Sequence, residues 1–441
     1  MNFFHKTMKA LINAVCVLLV AMSLLVLPLC AEEVEHESAH AHQSEHEHDH
    51  EKHAHVEGVL ESIQDSDFYV DDSLSERTGL GRYLFGHIHA YTVFGDSTAN
   101  PADLALGDHD PNNQVGVQAI EPSLTLQAGW LQGYINVSGV TDGSGDFFYG
   151  IEEGFLKLVD LPYGFELRGG QFLNSMGFQN ARHNHDWKFV DQTLVNGRFL
   201  NEGELFTQGG EIRWKLPVLE DSQMIVSVGG MPAHSHGEDA HDEGGEFESE
   251  GADFTDTLSG ANWVSRFKMD EERTVIATVS GVWGRNKFGR TNQVYGVGFE
   301  YLWKQDVHGG KYLRWRNEAM YRNIKAVSGH LPGEAPQAGG QKKSLADFGE
   351  FGIYSMLLYG FNEHIETGVR GGWVAGIDQM VLEQRFRMSP VITWYLNEKK
   401  TLQTRLQYNL DYLSGSGAEH SIWLQIGFNW GARGAHHGHA H

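Results

Sequence analysis

The stretch LQTRLQYNLDY at positions 402–412 decides the fold. Its even-numbered residues are Leu, Thr or Tyr, and its odd-numbered residues are Gln, Arg, Asn or Asp. Because successive side chains of a β-strand point to opposite faces, this period of two gives one face suited to lipid and one suited to water. Such segments of about ten residues are typical of transmembrane β-barrels.

The same alternation recurs at positions 296–303, 313–322 and 421–430. A soluble β-sandwich would show the same period, so the lengths of the connections must distinguish a sandwich from a barrel. Tight turns are predicted at 161–164, 217–222, 269–272, 360–363 and 397–400, and long loops at 95–117, 174–204, 232–256 and 324–346. This pattern predicts an all-β fold, a transmembrane antiparallel up-and-down β-barrel of about 16 strands. Sixteen strands leave an aqueous lumen, with the short turns and both termini in the periplasm.

The ends of the chain differ from the barrel in composition. Residues 1–31 combine Lys6 and Lys9 with an apolar run and a small Ala31, which indicates a cleaved signal peptide. Lipidation of Cys30 is the alternative, although Leu29 before it is larger than usual. The remaining divisions are a His/Glu-rich disordered arm at 32–57, a linker at 58–79, the barrel at 80–430 and a His-rich tail at 431–441.

Bulk composition excludes two classes of protein. After the signal peptide no run of about 18 apolar residues exists, so a transmembrane helix is not predicted. The formal net charge of -25 argues against a nucleic-acid partner.

Histidines form three patches, and at this density neutral imidazoles bind zinc, nickel or copper weakly and reversibly. Low-complexity drift is the alternative explanation, and no cofactor is predicted to be obligatory. The predicted metal ligands are His36, His40, His42, His46, His48, His50, His53, His55, His234, His236, His241, His436, His437, His439 and His441.

Arginines recur on the polar face of the predicted strands and are therefore expected to line the pore. They would form a positive wall that selects anions, or they would be neutralised by nearby carboxylates. The eight residues are Arg168, Arg213, Arg314, Arg316, Arg370, Arg385, Arg387 and Arg405.

The loop at 174–204 is too apolar for a free extracellular loop, so we expect it to fold inward as a constriction. Its His and acidic residues have the chemistry for a divalent cation, or form plain hydrogen-bonded pairs. They are His183, His185, Asp186, Asp191, Glu202 and Glu204.

An inward-folded third long loop resembles the general bacterial porins, and this resemblance covers residues 80–430. Locally, residues 166–180 and 183–191 are similar to a poorly characterised family of porin-like outer-membrane proteins of Gram-negative bacteria. The resemblance implies an outer-membrane location, contacts with lipid and lipopolysaccharide, and a homotrimer.

The sequence therefore predicts a non-enzymatic channel for small hydrophilic solutes or metal ions, linked to the binding or uptake of divalent transition metals, zinc above all. The alternative is a metal buffer anchored by a barrel that transports nothing. A barrel enzyme is disfavoured because no GxSxG motif is present. An active-uptake receptor needs a plug domain, for which residues 58–79 are too few.

Overall fold

The computed structural model describes residues 83–217, 219, 221–232, 252–305, 311–327, 345–380, 382–397 and 400–431. The predicted signal peptide, arm, linker and tail, together with all fifteen histidines of the three patches, lie outside the described residues.

Sixteen antiparallel strands form one closed barrel, in which each strand pairs with its sequence neighbours and β1 closes against β16. The predicted fold class is confirmed. The strands are β1 (Leu84–Ser97), β2 (Val115–Ala128), β3 (Leu131–Thr141), β4 (Phe147–Leu161), β5 (Phe165–Leu173), β6 (Phe206–Lys215), β7 (Ser222–Gly230), β8 (Thr257–Lys268), β9 (Arg273–Arg285), β10 (Thr291–Lys304), β11 (Tyr312–Val327), β12 (Leu345–Gly360), β13 (Ile365–Val374), β14 (Arg385–Tyr395), β15 (Leu402–Leu413) and β16 (Gly417–Gly431).

The alternation in β15 translates directly into two faces. Gln403, Arg405 and Asp411 are buried, whereas Leu402 and Leu406 are exposed on the outer face. The outer surface of the barrel is apolar around its whole circumference, as contact with lipid requires. Among the described residues, no helix has the length and apolar character needed to cross a bilayer.

Exposed aromatic side chains lie near both ends of the strands, where aromatic girdles of outer-membrane barrels meet the membrane interfaces. At the short-turn end they include Trp130, Tyr163, Trp214, Phe361 and Trp394, and at the other end Phe94, Phe147, Tyr149, Tyr295 and Phe351.

Connections at the two ends differ in length. One end has short turns, such as residues 162–164 and 269–272. The other end carries L1 (98–114), with helix α1 (Pro101–Leu104), and L3 (174–205), with helix α2 (Leu194–Phe199). L3 is the third connection at its end, although the second, residues 142–146, is only a short turn.

Candidate functional site

L3 lies in the lumen and is held to the opposite wall through Asp191. The carboxylate of Asp191 pairs with Arg370 on β13 and with Arg387 on β14, the latter at 2.8 Å. Gln407 and Asn409 on β15 donate further hydrogen bonds to it at 2.7 and 2.8 Å. A buried carboxylate with two guanidinium partners fixes the tip of the loop.

The second half of L3 docks through apolar side chains. Leu194, Val195 and Phe199 of α2 are buried in the main lumenal core cluster, together with Met356 and Val374 of the wall. These are the side chains that made the loop too apolar for solvent, and their burial against the barrel stabilises the inward position.

L1 also folds inward and packs on L3, which the sequence did not indicate. Both Arg385 and Arg387 donate to the carbonyl of Leu104, at 2.7 and 2.8 Å. A Cβ on Gly197 of α2 would lie 2.5 Å from the Cβ of Leu106, so the two loops approach too closely for a larger residue. The constriction is therefore built from two loops.

All eight predicted arginines lie on strands that line the lumen, and seven of them pair with carboxylates. Glu211 neutralises Arg168 and Arg213, and Glu300 neutralises Arg314 and Arg316. Arg370 pairs with Asp191, Arg385 with Asp411, and Arg387 with both acids. Arg405 instead donates to the carbonyls of Trp187 and Phe189 in L3. Of the two alternatives, this pattern favours arginines that are neutralised by carboxylates and position L3. It argues against a free positive wall.

A cluster of histidines and glutamates is formed by strands β1, β2 and β4 together with L1 and L3. In one group, Nε2 of His109 in L1 lies 2.8 Å from Glu204 of L3 and 3.7 Å from Glu152 of β4. In the other, Nδ1 of His183 in L3 lies 3.2 Å from Glu152, and Glu121 of β2 completes the set. Within each group the ligand atoms lie within 4.8 Å of one another, and Glu152 belongs to both.

A β-bulge places two adjacent glutamates in the lumen. The register of β3 and β4 shifts between Asn136 and Val137, so that Asn136 opposes Glu153 and Val137 opposes Ile151. Glu152 is the extra residue, and bulges are known to redirect side chains in this way. Both Glu152 and Glu153 are consequently buried.

Histidine rings extend the cluster along the wall. The ring of His185 stacks on His183 with centroids 5.4 Å apart, and on His89 of β1 at 3.8 Å. His87, two residues earlier on β1, stacks on His89 at 6.5 Å. His87 pairs with Gly431 near the short-turn end. A file of ligands therefore runs from L1 and L3 toward that mouth, and its members are Glu204, His109, Glu152, His183, His185, His89 and His87.

The pKa values of the loop histidines diverge within this cluster. Burial alone would lower the pKa of His109, but the Glu204 and Glu152 carboxylates outweigh it and raise the pKa well above its ordinary value. The pKa of His183 is raised against the effect of burial in the same way, chiefly by Glu152. Burial lowers the pKa of His185 to about 4.

Of the six residues predicted for the constriction, some belong to the histidine and glutamate cluster and others lie outside it. His183 and Glu204 join the cluster, and His185 lies beside it with Nδ1 2.7 Å from Glu121. Asp186 is buried 3.9 Å from Nε2 of His185, outside both groups. Asp191 is engaged by arginines and Glu202 is exposed, and neither is among the grouped ligand atoms of the described residues.

Sequence reasoning missed His87, His89, His109, Glu121, Glu152 and Glu153. For His87, His89, Glu121 and Glu153 the signal was a charged or imidazole side chain at an inward-facing position of strands β1, β2 and β4. No alternation marks Glu152, which a β-bulge turns inward, or His109, which lies in L1. These residues can be recognised as one cluster only when the closed barrel is known, because closure brings β1 and β4 beside L3.

No protein-family model matches the chain. An uncharacterized protein of Aquifex aeolicus (strain VF5) is 24% identical over 236 residues, which are 50% of this chain and 47% of that protein. The chain therefore spans about half the length of this curated relative.

Three solved structures illustrate the similarity of the barrel. An anion-selective porin from Comamonas acidovorans is 8% identical, with a TM-score of 0.47 and coverage of 79% of this chain and 98% of that one. The outer-membrane channel DcaP of Acinetobacter baumannii is 12% identical, with a TM-score of 0.48 and coverage of 79% and 96%. OmpF of Salmonella typhi, solved with daunomycin, is 11% identical, with a TM-score of 0.47 and coverage of 79% and 97%.

The closed barrel, its apolar exterior and its polar interior define a porin-like outer-membrane β-barrel.

Proposed function

We propose that this protein is an outer-membrane channel for small hydrophilic solutes or ions whose permeant species include divalent transition-metal ions. The observation that carries this proposal is the file of imidazoles and carboxylates inside the constriction, from Glu204 and His109 through His183 to His89 and His87. Both ligand types suit zinc and related ions.

The spacing of the file favours passage as well as binding. Nε2 of His109 lies 2.8 Å from Glu204, and the centroids of the successive stacked rings from His183 to His87 are 3.8 to 6.5 Å apart. At this spacing an ion would pass from one ligand to the next without returning to bulk water. Conduction requires that each bound ion can leave its site, which a second ion entering a neighbouring site promotes by repulsion.

The terminal arms would collect metal at the periplasmic mouth through their histidines. A homotrimer in lipid and lipopolysaccharide is part of the same proposal. The second candidate function, an anchored metal buffer without transport, is favoured by the histidine patches alone, because such patches would bind metal whether or not the lumen conducts.

The experiment is single-channel conductance of the refolded mature protein in a planar bilayer, with and without micromolar zinc. It is repeated after deletion of residues 32–57 and 432–441. Discrete steps that zinc alters support the metal-linked channel, and loss of the zinc effect in the deletion assigns that effect to the arms. Steps that zinc leaves unchanged indicate a general porin, and absence of steps refutes the channel and favours the buffer.

A further inference from the structure

The two histidine and glutamate groups share one carboxylate, which raises the question of whether they act together. We infer that they form one two-ion centre for divalent transition metals, in which Glu152 bridges the ions. His109 and Glu204 complete one site, and His183 and Glu121 complete the other. This inference deepens the proposed function, on which it rests, by naming the site inside the constriction.

Both histidines are oriented as metal ligands. Nδ1 of His109 lies 2.6 Å from the carbonyl oxygen of Gln118, which can only accept a hydrogen bond, so Nδ1 donates and Nε2 faces Glu152 and Glu204. Metal-binding histidines usually donate their other ring N–H to a carbonyl or carboxylate, which fixes the tautomer and the ring plane.

His183 repeats this arrangement with its nitrogens exchanged. Nε2 of His183 lies 2.8 Å from Glu153, whereas Nδ1 faces Glu152. In carboxylate–histidine–zinc triads the carboxylate likewise accepts a hydrogen bond from one ring nitrogen while the other ring nitrogen binds the metal. Two histidines from different loops are therefore aimed at the same carboxylate.

The glutamates are also positioned. Asn136 donates to Glu152 at 2.7 Å, and one oxygen of Glu121 lies 2.7 Å from Nδ1 of His185. The second oxygen of Glu121 has no hydrogen-bond partner among the described residues, although Glu121 is completely buried. A buried carboxylate oxygen without a partner is costly, and a cation would satisfy it.

Charge points to two divalent ions. Four carboxylates converge here, those of Glu121, Glu152, Glu153 and Glu204, and their ion pairs within the described structure are with histidines. Two divalent cations would neutralise four carboxylates while the imidazoles bind in their neutral form.

Distances require only side-chain adjustment. Ligands bonded to a tetrahedral zinc ion at about 2.0–2.2 Å stand roughly 3.3 Å from one another. The present donors lie within 4.8 Å in each group. Rotation of the Glu121 and Glu204 side chains would bring the donor atoms from the present spacing to the spacing of bound ligands. Because His109 belongs to L1 and His183 to L3, the ions would fasten both loops to β4.

The test is metal stoichiometry on the full mature chain in detergent, after dialysis against zinc buffered low enough to empty weak histidine sites. Bound zinc is measured by mass spectrometry. We expect Glu204→Gln and Glu121→Gln each to lose one of two tightly held ions, and Glu152→Gln to lose both. The control His420→Gln changes an exposed histidine of β16 and should lose none.

Heat-modifiable electrophoretic mobility verifies that every variant retains a folded barrel. If Glu152→Gln binds as much zinc as the parent protein, the inference is overturned and the cluster is a set of His–Glu ion pairs. Because binding is measured without conduction, a channel that fails to conduct would refute the proposed function and leave this result standing.

Discussion

Arg387 on β14 donates to the carboxylate of Asp191 in L3 at 2.8 Å, across 196 positions of sequence. The same arginine donates to Asp411 on β15 and to the carbonyl of Leu104 in L1. One guanidinium therefore joins the wall and both inward loops, and the position of the constriction depends on this contact.

Replacing Asp191 should release the tip of L3. In Asp191→Asn the two arginines lose a buried charged partner, which destabilises such a site by about 3–5 kcal/mol. We expect trypsin to cleave the variant at Lys188 and Arg198, which lie in L3 and are poorly exposed in the intact protein. The control is Asp347→Asn, because Asp347 forms an exposed ion pair with Lys325. An Asp191→Asn barrel as resistant to trypsin as the control would contradict the anchor.

Low pH should also release the tip of L3 in the parent protein. Burial alone would raise the pKa of Asp191, but Arg370 and Arg387 outweigh it and hold the pKa below its ordinary value of 3.8. A lowered folded-state pKa stabilises the docked loop above that ordinary value, and the stabilisation is lost as the pH falls through the folded-state pKa. Conductance should therefore change below about pH 4 in the parent, while Asp191→Asn lacks that transition. An identical acid transition in both proteins would assign it to another group.

The apolar contacts of α2 also hold L3 in the lumen, and truncating one of them tests their contribution to stability. Phe199 is 2% exposed, and the Arg322 guanidinium lies 4.8 Å from the centre of its ring. Truncation to Ala should lower the free energy of unfolding by about 3–5 kcal/mol, measured by urea titration in detergent. Phe361→Ala, at a half-exposed aromatic of a short turn, is the matched control and should change it far less. Equal effects would mean that α2 contributes little to stability.

Zinc affinity should depend on Glu153 even though it is not a proposed ligand. Its carboxylate lies 2.8 Å from Nε2 of His183 and orients that ring. Loss of such an outer partner typically lowers metal affinity 10–100-fold, which we expect for Glu153→Gln in a competition titration with a zinc chelator. Glu272→Gln, in the short turn 269–272, is the control. An unchanged affinity would contradict the role of the Glu153 charge in supporting His183 as a ligand.

Much of the fold follows from local sequence, because strand alternation is a property of neighbouring residues. The period in LQTRLQYNLDY gives the faces of β15 correctly, and the apolar content of L3 indicates that it needs a surface to bury against. The arginines could be assigned to the lumen for the same reason.

The candidate site depends on contacts that sequence spacing does not reveal. Glu152 faces inward through a β-bulge, which breaks the alternation on which the assignment of faces relies. His109 reaches Glu204 only because L1 folds onto L3. Sequence spacing groups Asp191 with the histidines of its own loop, but arginines on β13 and β14 engage it.

Single-channel conductance of the parent protein, Asp191→Asn and Asp347→Asn in one bilayer system tests the central claim most directly. The account predicts discrete steps from all three, with larger steps from Asp191→Asn because L3 leaves the lumen, and unchanged steps from Asp347→Asn. Absence of steps from the parent protein would contradict the channel. Steps of equal size from the parent and Asp191→Asn would contradict a constriction set by L3.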